Sequence, residues 1–185
     1  SFSLATVQET VLGNYRIIYF STHGLLPSKL KCFREPALVV SKPPNEQSTG
    51  LLTSSEIAEL KLDADLVILS ACDTGGPEGQ TGGESLSGLA RSFLYAGARS
   101  LLVTHWEILE KPSTELLITS FKRMATRDVT LAEAFRDGQT ALIENPNTSH
   151  PMIWGAFTIV GDGGQHPLSR PPLRSPLSSC RWLHD

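Results

Sequence analysis

Two apolar segments constrain this chain most, because each ends in a side chain able to do chemistry. They are Ile17-Ile18-Tyr19-Phe20-Ser21-Thr22-His23-Gly24 and Leu66-Val67-Ile68-Leu69-Ser70-Ala71-Cys72. Short runs rich in Ile, Val and Leu read as strands buried on both faces of a parallel sheet. In open sheets of this kind, ligands and chemistry collect in the crevice beyond the carboxyl ends of the strands. His23 and Cys72 leave their strands at that edge, 49 residues apart. On neighbouring strands they would meet there, as a cysteine nucleophile and its base require.

The rest of the chain alternates strand and helix patterns. Pro27, Pro36, Pro43 and Pro44 rule out one helix after the first strand, and Ala37–Val40 is predicted to pair with Gly50–Thr53 as a hairpin arm. Thr53-Ser54-Ser55-Glu56 and Thr130-Leu131-Ala132-Glu133 are capping boxes, each opening a helix. Leu86, Leu89, Ala90, Phe93 and Leu94 recur at helical spacing, with Gly97 placed to end that helix. Ser100–Thr104 is a third strand, a helix starts near Pro112 and runs to Met124, and Ala156–Val160 is the last strand. Asp73–Gly83, with five glycines, is predicted to be a mobile loop beside Cys72. This alternation predicts an α/β sandwich with a largely parallel sheet.

Composition narrows the class. A chain of 185 residues with 40% apolar content is one globular domain with a real core. A net charge of −3 provides no basic face for nucleic acid, and no apolar run reaches the length of a bilayer span. Three cysteines, Cys32, Cys72 and Cys180, are too few and too irregular for a disulfide framework, which points to a reducing, cytoplasmic setting. No His or Cys pair has zinc-ligand spacing, so neither a metal nor another cofactor is expected.

The blocks flanking the two strands resemble the CHAT family, caspase- and separase-like cysteine peptidases known from bacteria and often fused to tetratricopeptide repeats. The resemblance rests on the His23-Gly24 and Ala71-Cys72 strand ends and on several further blocks. These are Glu35-Pro36-Ala37-Leu38-Val39, Gly50–Ile57, Gly83–Phe93, Tyr95–Arg99, His105-Trp106, His150-Pro151 and Trp154-Gly155-Ala156-Phe157. It implies a caspase-like three-layer sandwich over residues 1–164. The family normally supplies two further strands ahead of the one ending in His-Gly, so the domain is expected to be partial and truncated at its N-terminus. Beyond Gly164, Pro167, Pro171, Pro172 and Pro176 lie among Ser and Arg, and residues 165–185 are read as a disordered tail without regular elements.

The resemblance assigns roles residue by residue. Cys72 alone could be a small inert residue at a strand end; within this pattern it is the nucleophile and His23 the general base. The backbone N–H groups of Gly24 and Cys72 form the oxyanion hole. Trp106-Glu107-Ile108-Leu109-Glu110 is similar to a separase stretch that binds a basic P1 side chain. Glu110 takes the position of the acid, Asp73 is the second choice, and Trp106 is a pocket wall. His105 precedes Trp rather than Gly and is read as structural.

The resulting expectation is a cysteine endopeptidase working through a dyad and a thioester acyl-enzyme. Its partner is a protein or peptide substrate, and repeat or sensor domains elsewhere in the parent protein control it in signalling. Two alternatives stand beside it: a non-catalytic caspase-like scaffold or interaction module, and a redox sensor built on Cys72. The second lacks a nearby resolving cysteine.

Overall fold

The central sheet is built from strands that bury both faces. The structure, a computed structural model, describes residues 2–25, 34–42, 48–70, 88–106, 109–126, 128–166 and 180–184. Strands β1 (Ile17–Ser21), β5 (Leu66–Ser70) and β6 (Ser100–Thr104) run parallel, and β7 (Phe157–Gly161) is antiparallel to β6. With β8 (Cys180–His184) the sheet order is β7-β6-β5-β1-β8. A second, antiparallel sheet joins β2 (Gly24–Leu25), β3 (Ala37–Val39) and β4 (Leu51–Thr53) in the order β2-β3-β4.

Period-two alternation divides the strand side chains between two layers. Ile18, Phe20, Val67, Leu69, Leu101 and Val103 enter one core with α1 (Leu4–Glu9), α2 (Ser54–Ala58) and α3 (Gly88–Tyr95). Ile17, Leu66, Ile68 and Leu102 enter the other with α4 (Glu110–Thr126) and α5 (Leu131–Glu144). Helices on both faces of a mostly parallel sheet make a three-layer sandwich, the α/β sandwich that the strand pattern predicts in the three-layer form that the family resemblance implies. Ile18, Phe20, Val67 and Leu69 are each fully buried, and truncating a Leu or Ile of this kind to Ala typically costs about 2–5 kcal/mol.

The helix signals read from the sequence are present as well. Thr53 and Thr130 each make the reciprocal capping box with Glu56 and Glu133. Gly97 ends the α3 segment at φ 110°, where a Cβ would overlap the Leu62 carbonyl oxygen, so only glycine fits. α4 starts at Glu110, two residues before the Pro112 expected to open it; proline is tolerated in the first turn because its N–H is not needed there.

The C-terminal stretch differs from expectation. Gln165 is packed rather than trailing: its Nε2 donates to the Asp65 carbonyl (2.7 Å) and to Ser100 Oγ (2.9 Å). Residues 180–184 form β8 in parallel register with β1, Tyr19 opposite Trp182. The four prolines all precede this segment, and Cys-Arg-Trp-Leu-His contains nothing that forbids a strand.

At the amino edge a buried ion pair sets the alignment of β1 and β5. Arg16 (6% exposed) donates Nε–H to Asp65 Oδ2 at 2.6 Å, and Asp65 is 1% exposed. The N–H groups of Asp65 and Leu66 both reach the Arg16 carbonyl, at 2.7 and 3.1 Å. Arg99, at the start of β6, lies 3.6 Å from the same carboxylate and also pairs with Asp63. Removing one partner leaves a buried charge uncompensated. Asp65→Ala should therefore lower unfolding stability by about 3–5 kcal/mol in urea titration, and Arg16→Met with Asp65→Leu should recover most of the loss. A loss below about 1 kcal/mol for Asp65→Ala would contradict this role.

Candidate functional site

The register fixed at the amino edge carries through to the carboxyl edge. Ile17 pairs with Leu66 and Ser21 with Ser70, the same offset of 49 that joins Arg16 to Asp65. Beyond Ser21 the chain turns into the small sheet. Thr22 is buried and donates its hydroxyl to the Val39 carbonyl at 2.7 Å, and the Val39 N–H returns to the His23 carbonyl at 2.9 Å. His23 thus has its backbone clamped on both sides while its ring is exposed.

Gly24 gains a particular orientation from the same ladder. It lies opposite Leu38. In an antiparallel pair, hydrogen-bonded and non-hydrogen-bonded positions alternate. Since the bond runs between Val39 and His23, Gly24 occupies a non-bonded position and its N–H is turned away from β3. An N–H directed away from its own sheet is the orientation an oxyanion donor needs. Cys72 and Asp73 lie outside the described residues, as do the rest of the glycine-rich loop and Glu107.

The hairpin that holds His23 is itself anchored twice. Ala37, Leu38 and Leu52 are fully buried. Glu35 accepts from Ser54 Oγ (2.7 Å), Ser55 N (2.9 Å) and Ser55 Oγ (2.6 Å), which ties the start of β3 to the start of α2. The Ser55 hydroxyl above all, then the Ser54 hydroxyl, hold the Glu35 carboxyl below its usual range. These bonds were not legible in the sequence, where Glu35 is one loop acid among several.

On the far side of β5, β6 leads into His105 and Trp106. His105 is structural: its N–H donates to the Ala156 carbonyl (2.9 Å) and its Nε2 pairs with Thr158 Oγ1 on β7 (2.9 Å). Trp106 packs against the α4/α5 core and donates its indole N–H to the Met152 carbonyl at 2.8 Å. Met152 belongs to α6 (Pro151–Trp154), a single turn N-capped by His150. Neither α6 nor its tie to Trp106 was anticipated; the His150-Pro151 pair is the signal that could have announced it, since proline favours the first helical position.

Glu110 is the first residue of α4 and is exposed. An acid there is favoured by the helix dipole alone, so its position needs no ligand to explain it. Glu110 is exposed rather than enclosed among apolar walls.

Comparison with known proteins bears on the same region. The family model described as CHAT domain matches residues 1–162. Tetratricopeptide repeat protein 28 of Mus musculus is 26% identical over 111 residues, and its Homo sapiens counterpart 25% over 111 residues. Each match covers 60% of this chain and 4% of the relative, so the chain spans a small part of those proteins' length. Among the described residues, no helix is long and apolar enough to cross a membrane.

The Glu35 contacts yield a pH prediction. A carboxyl held low in the folded state contributes stability above its unfolded value, near 4.5, and loses that contribution as pH falls through the lowered one. Glu35→Gln should therefore melt below the parent at pH 7, and the gap should narrow as pH drops below about 4.5. A gap that stays constant across this range would show that the Ser54–Ser55 contacts do not depend on the charge.

Proposed function

This chain belongs to the CHAT domain family, and from that premise we propose that it is a cysteine endopeptidase acting through a His23–Cys72 dyad. The observation that carries the reading is the β1–β5 register. Its offset of 49 sets Ser21 beside Ser70 at the carboxyl edge, so the segments that lead to His23 and to Cys72 leave from adjacent strand ends. An exposed His23 ring on a clamped backbone supports the role of base, because the ring is reachable while its position is held.

On this reading the chemistry runs in two halves. His23 takes the Cys72 thiol proton as sulfur attacks the scissile carbonyl carbon, and the carbonyl electrons move onto oxygen. The N–H groups of Gly24 and Cys72 receive that oxyanion; one such donor is typically worth about 2.7–4 kcal/mol of barrier. The C–N bond then breaks, His23 gives its proton to the leaving amine, and a thioester remains on Cys72. Water, deprotonated by His23, attacks the thioester; the acid product departs and the thiol is restored. Free thiols have a pKa of about 8.5, so the base is what makes the sulfur reactive at neutral pH.

Control by domains outside this stretch is part of the proposal. Its support is that the similar proteins carry tetratricopeptide repeats in their names and are far longer than the match. The substrate side is a protein or peptide, with Trp106 as a wall and Glu110, or secondarily Asp73, meeting a basic P1 side chain.

Cys72→Ala and His23→Ala should each reduce peptide-library cleavage to background while the melting temperature stays within a few degrees of the parent. Cleavage retained by Cys72→Ala would end the nucleophile assignment. The P1 effect should be small, because Glu110 is exposed and exposed ion pairs contribute about 0–1 kcal/mol. Glu110→Gln should thus lower kcat/KM after Lys or Arg by no more than about fivefold and leave neutral P1 residues unaffected. A larger loss on neutral P1 substrates would place Glu110 elsewhere in the machinery.

A further inference from the structure

We propose that the outward stripe of α4 is a self-association surface, on which a second copy of this chain lays its own α4 antiparallel. The inward face of the helix is already filled. Leu116, Leu117 and Met124 are buried in the core shared with α5, and Arg123 pairs with Asp137 of α5 at 2.7 Å. Away from that face, Lys111, Thr114, Ile118, Phe121 and Ala125 follow one another at steps of three, four, three and four residues. That is the repeat of about 3.5 residues that makes a seam between two helices. One seam is enough to dock α4 on its own domain, and this is a second.

The second seam lies open. Ile118 is 48% exposed, Thr114 and Ala125 are exposed, and Phe121 is half-buried. Together with Tyr19 of β1 they line a largely apolar cavity of about 370 Å³. A further cavity of about 760 Å³ continues it along Lys111, Glu115 and Thr119, and Ile118 borders both. The short side chains of Thr114 and Ala125 at either end let a second helix approach closely, with Ile118 as the knob between them.

Charge decides which helix fits. Glu115 and Lys122 are seven residues apart and flank the same edge of the seam. In an antiparallel pair, equivalent positions of the repeat face each other along that edge. Ile118 then lies over the second copy's Phe121, Thr114 over its Ala125, and Glu115 beside its Lys122. A two-fold axis makes each contact twice, the self-complementarity that a symmetric dimer requires. A parallel copy would instead set Glu110 beside the second copy's Glu115, like charge against like. The seam is short: α4 is about 25 Å long at about 1.5 Å per residue, and a strip about 10 Å wide stays well under the ~800 Å² per partner of a standard interface. The dimer is therefore weak, with a dissociation constant on the order of tens of micromolar.

The test is sedimentation velocity of the full chain over a concentration series that brackets this constant. The parent should pass from monomer to dimer, Ile118→Leu should follow it, and Ile118→Glu should stay monomeric throughout. Glu115→Lys and Lys122→Glu should each weaken association by about tenfold, because both symmetry-related pairs become repulsive. An equimolar mixture of those two variants should recover most of the parent's affinity, since every mixed pair is again acid against base. Recovery in the mixture also excludes misfolding as the cause of the weaker single variants. A parent that is monomeric across the series overturns the proposal. So does a dimer that survives Ile118→Glu, or a mixture no more associated than either charge variant alone.

Discussion

The Arg16–Asp65 pair at the amino edge of the sheet is the contact on which the remainder depends. The apolar pattern of β1 and β5 forbids a slip of one residue, because that would turn every core side chain to the wrong layer. It does not forbid a slip of two, which preserves the faces. A two-residue slip moves Arg16 about 6.6 Å along the strand at about 3.3 Å per residue, out of reach of a carboxylate now 2.6 Å away. Buried ion pairs are weak sources of net stability. This one excludes the single misalignment that hydrophobic packing accepts. Because Arg16 and Asp65 share the offset that pairs Ser21 with Ser70, the contact at one edge fixes which strand ends adjoin at the other.

A second layer of support surrounds each end of the candidate site. On the β1 side, Thr22, Val39 and the Glu35–Ser54–Ser55 contacts hold the backbone of His23 and turn the Gly24 N–H outward. On the β6 side, His105 is spent on β7, and Trp106 is spent on α6. The site is therefore framed by hydrogen bonds between elements rather than by loop residues alone.

Much of this frame was legible in the sequence because it rests on local rules. Strand periodicity, the two Thr-x-x-Glu boxes and the placement of Gly97 each state their structure within a few residues. What escaped the reading was non-local. Arg16 and Asp65 look like ordinary charges flanking strands until the sheet brings them together and removes the water. Residues 180–184 were absorbed into a proline-rich tail, although the prolines stop short of them. Glu110 takes the acid's position by resemblance alone, and nothing in the sequence shows that the helix beginning at that residue leaves it in an exposed first turn. Sequence spacing specifies which element a residue occupies and not how much solvent reaches it.

The central claim is that His23 acts on the Cys72 thiol, and thiol reactivity reports this independently of any substrate. The direct measurement is the rate of iodoacetamide modification of Cys72, followed by mass spectrometry from pH 5 to 10 in the parent chain and in His23→Ala. The account predicts a parent profile that retains fast modification well below the free-thiol range of about 8.5, and a His23→Ala profile that reverts to that range. Coincident profiles in the two proteins, both rising only near the free-thiol value, would contradict it.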